Sequence, residues 1–108
     1  MSFRKHSIGG ITKRHNQVLW WRIMIQKEYE KELLTIFMEE CAEAIVEASK
    51  IIRFGNGTDS LEAEIGDLYC MLDLMHKNDM FSWDNVEDLS QAKYEKLKKW
   101  SNLLDDEI

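Results

Sequence analysis

The sequence contains no proline, and its five glycines fall at Gly9, Gly10, Gly55, Gly57 and Gly66. Residues 11–54 and 67–108 therefore lack both of the residues that most readily break a helix. Such long breaker-free runs point to an all-α protein. Gly9-Gly10 is expected to separate a basic, flexible arm (residues 1–12) from a single domain (residues 13–108). The run from about Lys13 to Phe54 exceeds an ordinary globular helix, so a break is expected near Gln26 to Lys31. Gly55-Asn56-Gly57 is the clearest turn, with Gly55 suited to cap the helix before it. Asp59 and Glu62 have the spacing of a capping box and predict a helix over about 60–77. Asn78 to Trp83 reads as a loop. Asp84 and Glu87 repeat the capping pattern before a last helix, about 84–104, in which Val86, Leu89, Leu97, Trp100 and Leu104 follow helical spacing. The expectation is a helical hairpin or four-helix bundle.

With 108 residues, 44% of them hydrophobic and 31% charged, the chain reads as one globular domain rather than a disordered one. Its longest apolar runs, Val18 to Trp21 and Ile23 to Ile25, are too short to span a bilayer. The basic start is not followed by the apolar stretch of a secretory leader. Cys41 and Cys70 are too few for a disulfide framework or a four-thiolate zinc site, so a reduced, cytoplasmic setting is expected. Residues 1–27 carry six bases and no acid, and with a net charge of −6 overall the remainder is strongly acidic. An acidic body repels phosphate backbones, which argues against nucleic acid as the partner. The basic arm could dock on an acidic neighbouring subunit.

Two acidic clusters stand out. Glu39-Glu40-Cys41-Ala42-Glu43 lies in the middle of the long run, with Glu47 one turn further. Glu64-Ile65-Gly66-Asp67 follows the glycine turn. Residues three apart share a helix face, so Glu40/Glu43 and Glu64/Asp67 can each present two carboxylates together. Twenty residues lie between Glu43 and Glu64, which suits a helix-turn-helix hairpin that sets the pairs side by side. In the first helix Leu34, Phe37, Met38, Cys41, Ile45, Ala48 and Ile52 form one apolar stripe with the acids opposite, the pattern of a solvated acidic face.

The second helix reads differently. Glu64 and Asp67 fall among Leu61, Ala63, Leu68, Cys70, Met71, Leu74 and Met75. Carboxylates in an apolar arc need compensation, and Lys50 and Arg53 are too few to supply it for four or more acids. Oxygen ligands alone favour Mg²⁺, with Mn²⁺ as a possible substitute. A di-iron bundle expects Glu-x-x-His ligands; Asp73-x-x-His76 lies on the wrong arc and has no second copy. The cysteines read as buried spectators.

At these residues the chain resembles the all-α nucleoside triphosphate pyrophosphohydrolases of the MazG type, whose signature is Glu-Glu-x-x-Glu followed by Glu-x-x-Asp. Here the two halves are Glu39-Glu40-Cys41-Ala42-Glu43 and Glu64-Ile65-Gly66-Asp67. The run Ala48-Ser49-Lys50-Ile51-Ile52-Arg53-Phe54-Gly55 also resembles small single-domain members, many of them phage-encoded. The likeness covers about residues 28–104; the first 27 find no counterpart. It implies cleavage of a nucleoside triphosphate between the α and β phosphates, giving a monophosphate and pyrophosphate. By position, Glu40, Glu43, Glu64 and Asp67 would hold Mg²⁺. Glu39 and Glu43 would take the catalytic roles, Glu39 as a supporting ligand or as base for the attacking water. Lys50 and Arg53 are candidates for contacts to phosphate. Trp20, Trp21, Phe54, Tyr69 and Trp83 are candidates for base stacking, and Trp100 reads as core. The resemblance also implies a homodimer or homotetramer with the site between helices. Related all-α hydrolases acting on dUTP or phosphoribosyl-ATP share the acidic pairs. The reading from a different class is a non-catalytic helical interaction module.

Overall fold

Residues 13–105 are described by a computed structural model, which contains three helices: α1 (Lys13–Phe54), α2 (Asp59–Lys77) and α3 (Trp83–Trp100). Helix is the only regular structure among these residues. The expected flexible arm, residues 1–12, lies outside them.

The break expected near Gln26 to Lys31 does not occur, and three helices replace the expected four. The segment Gln-Lys-Glu-Tyr-Glu-Lys is composed mostly of strong helix formers. Gln26 Nε2 also donates to Glu30 Oε1 at 3.3 Å, a bond between neighbours on one face. With nothing to interrupt the backbone ladder, α1 continues for 42 residues, about 63 Å at 1.5 Å per residue.

Gly55 ends α1 as its position suggests. Its φ is 68°, in the left-handed region that glycine enters without penalty, and its N–H donates to the Ile51 carbonyl at 2.9 Å. The two capping boxes do not form. Thr58 precedes α2 without a side-chain cap, and Asp59 sits inside the first turn, where a carboxylate still favours the helix dipole. Ser82 caps α3, its hydroxyl accepting from the Asn85 N–H at 3.4 Å. The loop between α2 and α3, residues 78–82, is held by Asn78 Nδ2 donating to the Leu74 carbonyl at 2.7 Å. His76, Phe81 and Trp83 cluster across it, with the Phe81 and Trp83 rings edge to face at 4.9 Å.

Packing is concentrated between α1 and α2, which form an antiparallel hairpin; α3 stands off it. Among the described residues, only Leu33 and Met71 are buried apolar residues. The side of α1 toward α2 carries Leu33, Glu40, Ala44, Glu47 and Ile51, and α2 answers with Leu61, Glu64, Leu68, Met71 and Met75. The acidic face of α1, expected to be solvated, thus turns partly inward through Glu40 and Glu47. The apolar stripe turns out: Met38 is 67% exposed, Ile45 69% and Ile52 85%. Trp100, expected in the core, is 85% exposed, because α3 lies against neither helix closely enough to cover it. Cys70 is exposed rather than buried, and Cys41 is half-buried. No helix among the described residues is long and apolar enough to cross a membrane.

The chain is extended for its size. Its radius of gyration is 20.8 Å, against about 13 Å for a compact domain of this length. Its accessible surface is 9451 Å², against about 6,300 Å² for a compact 12.8 kDa monomer.

Candidate metal centre in the hairpin

The two acidic clusters meet across the hairpin. Glu40 from α1 and Glu64 and Asp67 from α2 each place one carboxylate oxygen within 4.8 Å of the other two. Glu40 and Glu64 are half-buried and Asp67 is exposed at the rim. The local sequence accounts for this placement. Leu61, Leu68 and Met71 bring α2 onto α1 by its 3–4 spacing, and Glu64 occupies one position of that same stripe.

Glu64 bears the cost. Its Oε2 is buried without a hydrogen-bond partner, and no Lys or Arg forms an ion pair with it among the described residues. Desolvation pushes its pKa up to about 7, reinforced by a hydrogen bond to Glu40, which accepts a proton held by Glu64, and by the charges of Glu43, Asp67 and Glu40. Desolvation also raises Glu40; the bond from Glu64 offsets part of that rise, while Asp67 and Glu43 add to it. A group of acids that raise one another's pKa values is a site that lacks positive charge.

The bases expected nearby are engaged elsewhere. Lys50 Nζ pairs with Glu47 Oε2 at 3.3 Å, and the Arg53 guanidinium lies 4.9 Å from the centre of the adjacent Phe54 ring. Glu43 is exposed one turn beyond Glu40 and acts on the trio through its charge. Glu39 is also exposed and is not among the three converging carboxylates. Lys50, Arg53 and Phe54 lie about 15–21 Å along α1 from Glu40, and Trp20 lies about 30 Å away in the other direction. Trp83 belongs to the aromatic cluster at the α2–α3 loop. The i, i+3 spacing of Glu47 and Lys50 is the signal by which this pair could be found in the sequence.

The trio fits a hard divalent cation. All its donors are carboxylate oxygens within 4.8 Å of one another, the ligand type that hard divalent cations take. A cation would also partner the orphaned Oε2 of Glu64. No known protein family matches this chain, and no curated protein or solved structure matches it.

Proposed function

We propose that this protein is a Mg²⁺-dependent nucleoside triphosphate pyrophosphohydrolase, cleaving between the α and β phosphates to release a nucleoside monophosphate and pyrophosphate. The observation that carries this reading is the convergence of Glu40, Glu64 and Asp67 around a buried carboxylate oxygen that has no partner. The resemblance of the Glu39–Glu43 and Glu64–Asp67 motifs to the MazG type supports it. A bound Mg²⁺ supplies charge neutralisation at phosphate oxygens and acidifies a coordinated water. Glu40, Glu64 and Asp67 would be its ligands, and Glu43, one turn from Glu40, would complete the set. Glu64 holds its proton up to about pH 7 and must release it before acting as a ligand, so cation affinity rises with pH. Glu39, exposed and outside the trio, would be a supporting or second-metal ligand, or the base for an attacking water.

The same reading assigns the outward stripe of Met38, Ile45 and Ile52 to contact with a second copy, giving a homodimer or homotetramer. Trp20 would then serve a site only in another copy. The exposed apolar surface is equally the observation that favours a non-catalytic interaction module, and one experiment separates the two. Purified protein is incubated with ribo- and deoxyribonucleoside triphosphates in Mg²⁺, Mn²⁺ or EDTA, and the products are resolved by chromatography. Monophosphate and pyrophosphate, abolished by EDTA, are expected. Diphosphate and orthophosphate would overturn the assigned bond, and no turnover of any triphosphate would favour the interaction module.

A further inference from the structure

Among the described residues, two elements pack little inside the chain: the N-terminal part of α1 and the part of α3 beyond Trp83, which itself joins the ring cluster at the α2–α3 loop. Glu40 and Asp67 sit level across the hairpin. Carried about ten residues further along both antiparallel helices, that juxtaposition sets the end of α2 beside Glu30. The part of α1 before that point, residues 13–29, overhangs the hairpin by about 25 Å. Helix α3, with 18 residues, is about 27 Å long.

Both elements are built for burial. From Val18 to Ile25 every residue except Arg22 is apolar, and at 100° per residue these eight positions wrap the whole circumference. All eight are exposed. A helix lying on a membrane surface keeps a polar face; one that is apolar all round belongs inside a bundle. On α3 and just after it, Leu89, Tyr94, Trp100 and Leu103 are exposed.

Charge selects the pairing. Residues 13–27 carry Lys13, Arg14, Arg22 and Lys27 and no acid, whereas residues 28–32 carry Glu28, Glu30 and Glu32 against Lys31. Helix α3 has the opposite order: Asp84, Glu87 and Asp88 first, then Lys93, Lys96, Lys98 and Lys99 against Glu95. Laid parallel, basic block meets acidic and acidic meets basic. Laid antiparallel, like blocks meet at both ends. The chain cannot make the parallel pairing with itself. Helix α3 begins five residues after α2, beside Glu30, and those residues are partly consumed by the turn at Asn78. They cannot span the length of the overhang.

We infer that the N-terminal part of α1 packs in parallel against α3 of a second copy, each copy giving its overhang and receiving the other's. Seven exposed apolar residues from Val18 to Ile25, with Leu89, Tyr94, Trp100 and Leu103 on the other element, supply the apolar composition of an obligate interface. This inference is independent of the proposed hydrolysis and of the hairpin stripe.

The test is sedimentation equilibrium on the full chain at low salt, with circular dichroism to establish that helix content is retained. Arg22→Glu with Lys27→Glu should weaken association at least 10-fold and lower the oligomer by one step. Asp84→Lys with Glu87→Lys should do the same. All four substitutions together should restore wild-type association. An assembly indifferent to both pairs would overturn the inference. So would a monomeric wild type, or tighter association of the variant carrying Arg22→Glu with Lys27→Glu, whose new acids would then meet Lys96 and Lys98, the signature of antiparallel pairing.

Discussion

The two halves of α1 belong to one uninterrupted helix yet face opposite circumstances. The C-terminal half lies on α2 and turns Glu40 and Glu47 toward it, while its own apolar stripe points outward. The overhang, residues 13–29, extends beyond α2, and from Val18 to Ile25 it is apolar nearly all round. Within one chain, then, two carboxylates of α1 share the covered side with Leu33, Ala44 and Ile51, while its longer apolar stripe is exposed. A lone soluble hairpin folded for its own core would have the reverse arrangement. The difference teaches that two separate demands shaped α1. Its inner face holds a carboxylate cluster around an unpartnered Glu64 oxygen, and its outer surface leaves large apolar side chains exposed.

The sharpest break of this comparison is Glu64→Gln. An amide keeps the shape but removes the charge at the centre of the trio. Under the proposed function, hydrolysis of triphosphates should fall by more than the ~100-fold typical of lost outer-shell support to a metal, because Glu64 would be a direct ligand. The metal-free protein should at the same time melt at a higher temperature, since the desolvated charge and its repulsion by Glu40, Glu43 and Asp67 disappear. Product chromatography and calorimetry read the two effects. Loss of both activity and stability would make Glu64 a structural residue instead.

The outward stripe comes next. Ile45 is 69% exposed in the single chain, and a substitution at such a site ordinarily moves stability by no more than about 0.5 kcal/mol. If a second copy covers it, Ile45→Glu should weaken association about 100-fold, since a charge would be left in an apolar contact. Sedimentation equilibrium distinguishes the outcomes. Unchanged association would leave the stripe as plain surface.

A pH series separates the inner face from the outer one. Glu64 has a folded pKa of about 7 against an ordinary value of 4.5, so between those values the folded state holds more protons than the unfolded state. Its contribution is fully present below about pH 4.5 and is lost as pH rises through 7. The melting temperature of metal-free protein should therefore fall between pH 5.5 and 8, after allowance for the other groups as measured in Glu64→Gln. Added Mg²⁺ should cancel the fall by binding the folded state. A wild-type slope equal to that of Glu64→Gln would remove Glu64 as its cause.

The legible and illegible parts of the chain divide along the same line. The glycine turn was legible because Gly55 supplies the left-handed φ that ends α1. The meeting of Glu40 with Glu64 and Asp67 was legible from the length of the loop between two helices and the three-residue spacings. The continuity of α1 was not, because 42 residues exceed an ordinary globular helix, yet the helix formers from Gln26 to Lys31 carry the backbone ladder through. The orientation of α1 was not legible either. Its apolar stripe is stronger than its α2-facing side, and amphipathic reasoning assigns the stronger stripe to the nearest core. That rule fails when the nearest helix is not the only one. Trp100 failed for the same reason: helical spacing shows that residues share a face, not that anything covers it.

The smallest expected effect is also the control for the largest. Asp73 lies on α2 two turns beyond Asp67, where Lys77 Nζ meets its Oδ2 at 2.9 Å on an exposed surface. The hydrogen bond and charge of Asp73 raise the Lys77 pKa, so this acid has the positive partner that Glu64 lacks. Exposed pairs four residues apart contribute little, because solvent and salt screen them and ordering two side chains costs entropy. Asp73→Asn should shift the melting temperature by no more than about 2 °C, and that shift should shrink in high salt. Hydrolysis and its Mg²⁺ dependence should remain at wild-type levels. A large loss of activity in this variant would mean that acidity along α2, rather than the particular cluster at Glu64, is what matters. An unchanged rate beside an inactive Glu64→Gln would assign the chemistry to the inner face of the hairpin.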